Sequence, residues 1–158
     1  RLVRFMDWRL NVDSAATTAF YDAREVGEAE VCAETVDCSG CANYVALREK
    51  AFPDSVRRLL DELSIPYQKE IDATDAGHPA KHLYHGLFYF AGRVLEGPDS
   101  HVPDGQGGHS IVLREVSETF EIGFSDFQSD GAGLAPQGSW VQIDFLTTLP
   151  WVLPESES

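Results

Sequence analysis

Three cysteines crowd one stretch of this 158-residue chain: Cys32, then Cys38-Ser39-Gly40-Cys41. A CxxC pair is the usual half of a zinc knuckle, which takes four ligands and often draws the other two from elsewhere. Cys32 supplies a third if its segment lies beside the turn, and the fourth would come from His78, His82, His85, His101 or His109. Zinc at Cys32, Cys38 and Cys41 is therefore the metal site the residues suggest, although no second CxxC accompanies them. The same stretch has a redox reading: a CxxC that opens a helix puts its first thiol in the helix dipole, which lowers the thiol pKa and makes it nucleophilic. Asp37 beside Cys38 opposes this by like charge, and the segment lacks the aromatic-Cys-Gly-Pro-Cys pattern of thioredoxins. The third reading is packing, because free cysteine behaves as a small, buried hydrophobe. In a chain able to fold without staples, packing ranks first.

A second group gathers His78, His82 and His85 near Glu70, Asp72 and Asp75, residue types that serve acid–base or metal chemistry. Their setting, a run rich in Asp, Gly and Pro, explains them equally well as polar loop. There is no serine-nucleophile elbow, phosphate-binding loop or HExxH. Gly105-Gln106-Gly107-Gly108 precedes a strand rather than a helix, so it lacks the helix N-terminus that attracts phosphate and reads as a hairpin tip. The aromatics Trp8, Tyr44, Tyr84, Phe88, Tyr89, Phe90, Trp140 and Trp151 read as core rather than pocket lining. No catalytic or cofactor-binding residue is assigned, and zinc is the one cofactor in view.

The elements follow from periodicity. Met6 to Val12 alternates apolar and polar residues, a half-buried strand. Thr17 to Ala23 and Glu30 to Val36 read as further strands, the latter bearing Cys32. Cys41 to Ala51 reads as a helix, capped by Asp37 or Ser39. Phe52-Pro53 breaks it, and Pro53 starts a second helix whose Val56, Leu59, Leu60 and Leu63 form an i, i+3, i+4, i+7 stripe. Strands are expected at Tyr67–Ala73, Leu83–Leu95, Ile111–Val116, Glu118–Phe124 and Trp140–Leu146, with loops at Glu96–Gly108 and Ser125–Gly138. Gly86 and Gly92 inside the long aromatic strand mark a bulge or a close backbone approach. Two adjacent helices followed by consecutive strands give an α+β fold, the helices packed on one face of a largely antiparallel sheet. The expected organisation is a single domain over 1–153 with a flexible tail over 154–158.

Twenty-six acidic residues against twelve basic ones leave a formal charge of −14. Such a surface repels phosphate backbones and anionic membranes, so nucleic acid and membrane are excluded as partners; a basic protein suits it. No apolar run is long enough to span a bilayer and no secretory signal is visible. An odd number of clustered cysteines fits the reducing cytoplasm better than a secreted disulfide framework.

Cys38-x-x-Cys41-x-Asn43-Tyr44, Phe52-Pro53 before an amphipathic helix, Leu63-Ser64-Ile65, the Leu83 to Gly92 strand and the closing Pro150-Trp151-Val152-Leu153 carry a resemblance. Over roughly Val36 to Leu153 the chain resembles a family of small uncharacterised bacterial cytoplasmic proteins with a CxxCxNY motif and a C-terminal PWVL segment. Members often have a further cysteine two residues before the CxxC, where this chain has Val36. The resemblance implies a bacterial, cytoplasmic, single-domain protein and no particular activity. Two function classes follow. The first is a non-enzymatic, acidic protein-binding module of an accessory or immunity type. The second is a small metal- or thiol-dependent enzyme using Cys32, Cys38 and Cys41.

Overall fold

The computed structural model describes residues 1–27, 39–75 and 82–154. Strands β1 (Leu2–Phe5) and β2 (Trp8–Val12) form an antiparallel hairpin. Trp8, Leu10 and Val12 are buried, as their alternation requires, but Met6 lies in the turn with a φ of 52° rather than opening the strand.

Helix α1 (Ser14–Asp22) occupies the segment whose sequence suggested a strand at Thr17–Ala23. The paired threonines favour extended backbone. Two local features win over them: the Asp13 carboxylate caps the helix by accepting from the Ala16 N–H at 3.0 Å, and Thr17, Phe20 and Tyr21 share a buried side at i, i+3, i+4 spacing. Helix α2 (Ser39–Ala51) covers the expected Cys41–Ala51 helix and begins at Ser39, so Ser39 is inside it rather than its cap. Helix α3 (Asp54–Glu62) follows the Phe52-Pro53 break and buries Val56, Leu59 and Leu60. Pro53 stands at its N-cap, not in its first turn. Asp37 and the expected strand at Glu30–Val36 lie outside the described residues.

The remaining strands are β3 (Asp72–Asp75), β4 (His82–Glu96), β5 (His101–Pro103), β6 (His109–Ile111), β7 (Arg114–Ser117), β8 (Phe120–Ser129) and β9 (Gly138–Leu149). Among the described residues the fold is thus mixed α and β, with three helices and an antiparallel main sheet ordered β1-β2-β4-β9-β8-β7, β3 pairing with β4. β5 and β6 form a separate hairpin within a stretch that reads as loop, its tip at Gly105–Gly108 where the glycines had placed one.

The sheet is strongly coiled. Asp7, in the first hairpin, and Arg114, on the far edge strand, are four or five strand positions apart, about 19–24 Å in a flat sheet. Their side chains are nevertheless bonded at 2.8 Å, and the Trp8 and Phe124 rings meet at 4.7 Å across two intervening strands. The coil encloses Tyr84, Phe88 and Phe90 of β4, Val141, Ile143 and Phe145 of β9, and Phe120, Ile122 and Phe124 of β8, all nearly or fully buried. Phe52 anchors this side, its ring 5.2–5.9 Å from those of Phe145, Phe120 and Phe88. Gly86 is required here, since a Cβ would lie 2.3 Å from the Phe145 ring. A Cβ at Gly92 (φ +151°) would come closer still to the Asn11 carbonyl, at 1.9 Å.

β4 is longer than the strands on one side of it. β3 covers Tyr84–Leu87 and β2 covers Gly92–Glu96, leaving a gap between them. Side chains of α1 fill the gap. The Tyr21 hydroxyl accepts from the Tyr89 N–H (2.9 Å) and donates to the Tyr89 carbonyl (2.6 Å), while the Thr17 hydroxyl accepts from the Ala91 N–H (3.0 Å). Two hydroxyls thus stand in for a missing strand, which disposes of backbone groups that burial would otherwise leave unpaired.

Candidate functional site

The opposite face of the sheet carries the charge chemistry. Its lattice is set by register: Thr74, His85, Leu146 and Glu121 share one row across β3, β4, β9 and β8, and Asp72, Leu87, Asp144 and Gly123 the next. Asp144 has no exposed side-chain surface. Its Oδ1 accepts from His85 Nε2 at 3.1 Å and its Oδ2 from His101 Nε2 at 3.0 Å, and the Gln142 amide lies 3.2 Å from both oxygens. Every donor comes from a different local cause. His85 is diagonal to Asp144 across β4 and β9, Gln142 is two residues earlier on the same strand face, and His101 arrives on β5.

Gly123 makes the last of these possible. It is the direct partner of Asp144 on β8, and a Cβ there would fall 2.6 Å from that of Ser100. Without a side chain at 123, the segment leading into β5 crosses close over β8 and delivers His101 to the carboxylate. The Ser100 N–H bonds the Phe124 carbonyl at 2.9 Å, which fixes the crossing point.

Burial alone would raise the Asp144 pKa; the hydrogen bonds from His85, His101 and Gln142 outweigh it and hold the carboxyl below its ordinary value. Donating that hydrogen bond to Asp144 raises His85 against the effect of its own burial, with smaller help from the charges of Asp144 and Asp72. Tyr89, next along β4 on this face, is raised by burial and then by the same two carboxylates. With Nε2 of both histidines turned to Asp144, each is an N–H donor there and keeps Nδ1 as its exchangeable position. The arrangement can hold a proton and orient two imidazoles.

The sequence-derived candidates separate in space. Cys41 is buried in α2. Cys32, Cys38 and His78 lie outside the described residues, and among the described residues no group of three or more His, Cys, Asp or Glu is placed to hold a metal. His85 and His101 come together, but on Asp144 rather than on the thiols. His109 faces His101 across the small hairpin, their rings 6.5 Å apart, and His82 packs on Trp151 at 5.1 Å. Asp144 was not among the candidates; its signal was a carboxylate in the middle of the apolar run Ile143 to Leu146.

The two ends of the resemblance also meet. The Asn43 side chain donates to the Pro150 carbonyl (3.1 Å) and to the Tyr84 hydroxyl (3.2 Å), and accepts from the Val152 N–H (2.9 Å). Asn43 therefore clamps the closing segment onto α2 and β4.

A second surface adjoins the Asp144 site. From Val94 to Gly131 the chain has eight carboxylates and one cation, Arg114, which is paired with Asp7. Val102, Ile111 and Val112 are 42%, 49% and 55% exposed on and beside the β5–β6 hairpin. Among the described residues no helix is long and apolar enough to cross a membrane. Comparison with family models, with curated proteins and with solved structures gives no match.

Proposed function

We propose that the protein is a non-enzymatic binding module that docks a basic protein, in the manner of an accessory or immunity factor, through the acidic face of β5 to β8. In this reading α2 and α3 pack together on the enclosed side of the sheet and leave the outer side for contact. The observation that carries it is the pairing of unbalanced charge with exposed apolar side chains: Val102, Ile111 and Val112 lie among Asp99, Asp104, Glu115 and Glu118. Charge that serves solubility alone needs no apolar centre, whereas a protein interface combines a desolvated centre with a polar rim. Long-range attraction would speed encounter with a cationic partner, and the apolar trio would supply the holding contact.

The test uses immobilised wild type beside two variants, Glu115→Lys/Glu118→Lys and Val102→Ser/Ile111→Ser, with a cell lysate of the source organism as analyte. The expected result is a basic protein retained by wild type at low salt, weakened by high salt, and lost on both variants. Equal retention on all three surfaces, or none at low salt, removes the proposal.

A further inference from the structure

The segments that flank the β5–β6 hairpin are fixed to the main sheet, by the Trp8 indole N–H on the Pro98 carbonyl and the Ser100 N–H bond to Phe124 before it and by β7 after it. Among the described residues, the hydrogen bond that reaches from the hairpin proper to a central strand is that of the His101 imidazole on Asp144. The hairpin's own bonds, such as Asp104 N–H to the Gly108 carbonyl and the Asp104 carboxylate to the Gln106 and Gly108 N–H groups, are internal and would survive its movement. Its outer residues 102–107 are exposed.

The carboxylate is saturated only while ionised. In that state His85, His101 and Gln142 all point N–H groups at it. A proton gained by His85 goes to Nδ1, away from Asp144, so mild acid adds positive charge without breaking a bond and that hydrogen bond becomes charge-assisted on both sides. A proton gained by Asp144 does the opposite. The new O–H faces an Nε2–H, donor against donor, and the His85 imidazolium loses its anion. The other groups around the carboxylate are Asp72 in the same row, Tyr89 on β4, Glu121 one row away on β8, His109 behind His101, and Asp99, whose carboxylate accepts from the His101 N–H at 2.9 Å. The hydrogen bonds from His85, His101 and Gln142 resist protonation of Asp144.

We propose that Asp144 is a proton-operated latch, which holds the β5–β6 hairpin across β8 through His101 while ionised and releases it on taking a proton, with His85 setting how far into acid the latch holds. Release moves the segment that bears Val102 and Ile111, so the latch is a conformational control of the outer face. It does not depend on what that face binds.

The experiment is NMR on the full chain between neutral pH and strong acid. It follows three signals: the ring contact of His101 with Asp144, read as the slowly exchanging His101 Nε2–H, the exchange protection of the Ser100 amide, and the side-chain carboxyl shift of Asp144. In wild type the first two should persist into mild acid and vanish together with the carboxyl titration, while the Ile143 amide stays protected. His85→Leu should move the release midpoint up by about one pH unit, the size of shift a single hydrogen-bond donor exerts on a carboxylate. His101→Leu, a half-exposed position, should free the hairpin at every pH, with Ser100 exchange about tenfold faster or more, as loss of a hydrogen bond to a charged group implies. Persistence of the ring contact through the Asp144 titration would overturn the latch. So would an unmoved midpoint in His85→Leu, or simultaneous loss of Ile143 protection, which would show global unfolding instead of local release.

Discussion

Tyr21→Phe is the sharpest structural test, because it deletes one oxygen and keeps the ring. That oxygen serves both backbone groups of Tyr89 in the gap between β2 and β3. Tyr21 is 1% exposed and burial raises its pKa well above the usual value, so the hydroxyl stays a donor. The phenylalanine ring keeps its edge contact with Phe20 and leaves no cavity. The cost is then the orphaning of one N–H and one carbonyl on a buried strand edge, about 1–3 kcal/mol each, with the lower half of that range expected where water can follow. We expect a loss of about 2–4 kcal/mol. Spread over an unfolding entropy of about 2.1 cal/mol/K per residue, this lowers Tm by about 6–12 °C. Urea unfolding should show a lower midpoint at unchanged slope. Hydrogen exchange should accelerate at Tyr89 and leave the β8–β9 ladder alone. A loss below about 0.5 kcal/mol would refute the view that α1 completes the sheet edge by hydroxyl bonding.

Four further outcomes are expected. Gly123→Ala forces apart two backbones whose Cβ atoms would stand 2.6 Å from each other, so the His101 ring should lose its contact with Asp144 and the His101 Nε2–H its exchange protection while β9 exchange stays unchanged. Ser100→Ala removes a buried hydroxyl that has no hydrogen-bond partner among the described residues, and urea unfolding should find it neutral or stabilising by up to about 1 kcal/mol. Glu70→Ala removes a buried carboxylate that Arg48 bonds at 3.2 Å, in a pair 0% and 5% exposed, and the same assay should show a loss of several kcal/mol, up to about 3–5 kcal/mol. Stability should depend on pH with two signs. His85 lies above its ordinary 6.5, so its contribution is complete below 6.5 and fades as pH rises through the folded value; Asp144 lies below its ordinary 3.8, so its contribution is complete above 3.8 and fades as pH falls through the folded value. Urea midpoints should therefore form a plateau between the two, and Asp144→Asn should flatten both flanks.

Elements whose signal is local were legible in the sequence. The Val56, Leu59, Leu60 stripe and the aromatic run of β4 needed no partner to declare themselves, and Gly86 and Gly92 mark close approaches as strand glycines should. α1 was misread because the strand preference of Thr17 and Thr18 outweighed a cap at Asp13 that only a hydrogen bond reveals. The β5–β6 hairpin was hidden because three-residue strands containing Pro103 fall below any periodicity. His85 and His101 were recognised as chemically able, but the residue that joins them was not. Asp144 lies 59 positions from His85 and 43 from His101, and the β4–β9 register and the bare Cα of Gly123 bring the three together.

The most direct test of the binding face is zero-length carbodiimide coupling of the retained partner, which joins its lysines to carboxylates of this chain. Coupling is expected at Asp104, Glu115 and Glu118, suppressed by high salt. Coupling confined to the carboxylates of α3, at Asp54, Asp61 and Glu62, with none between residues 94 and 131, would contradict it.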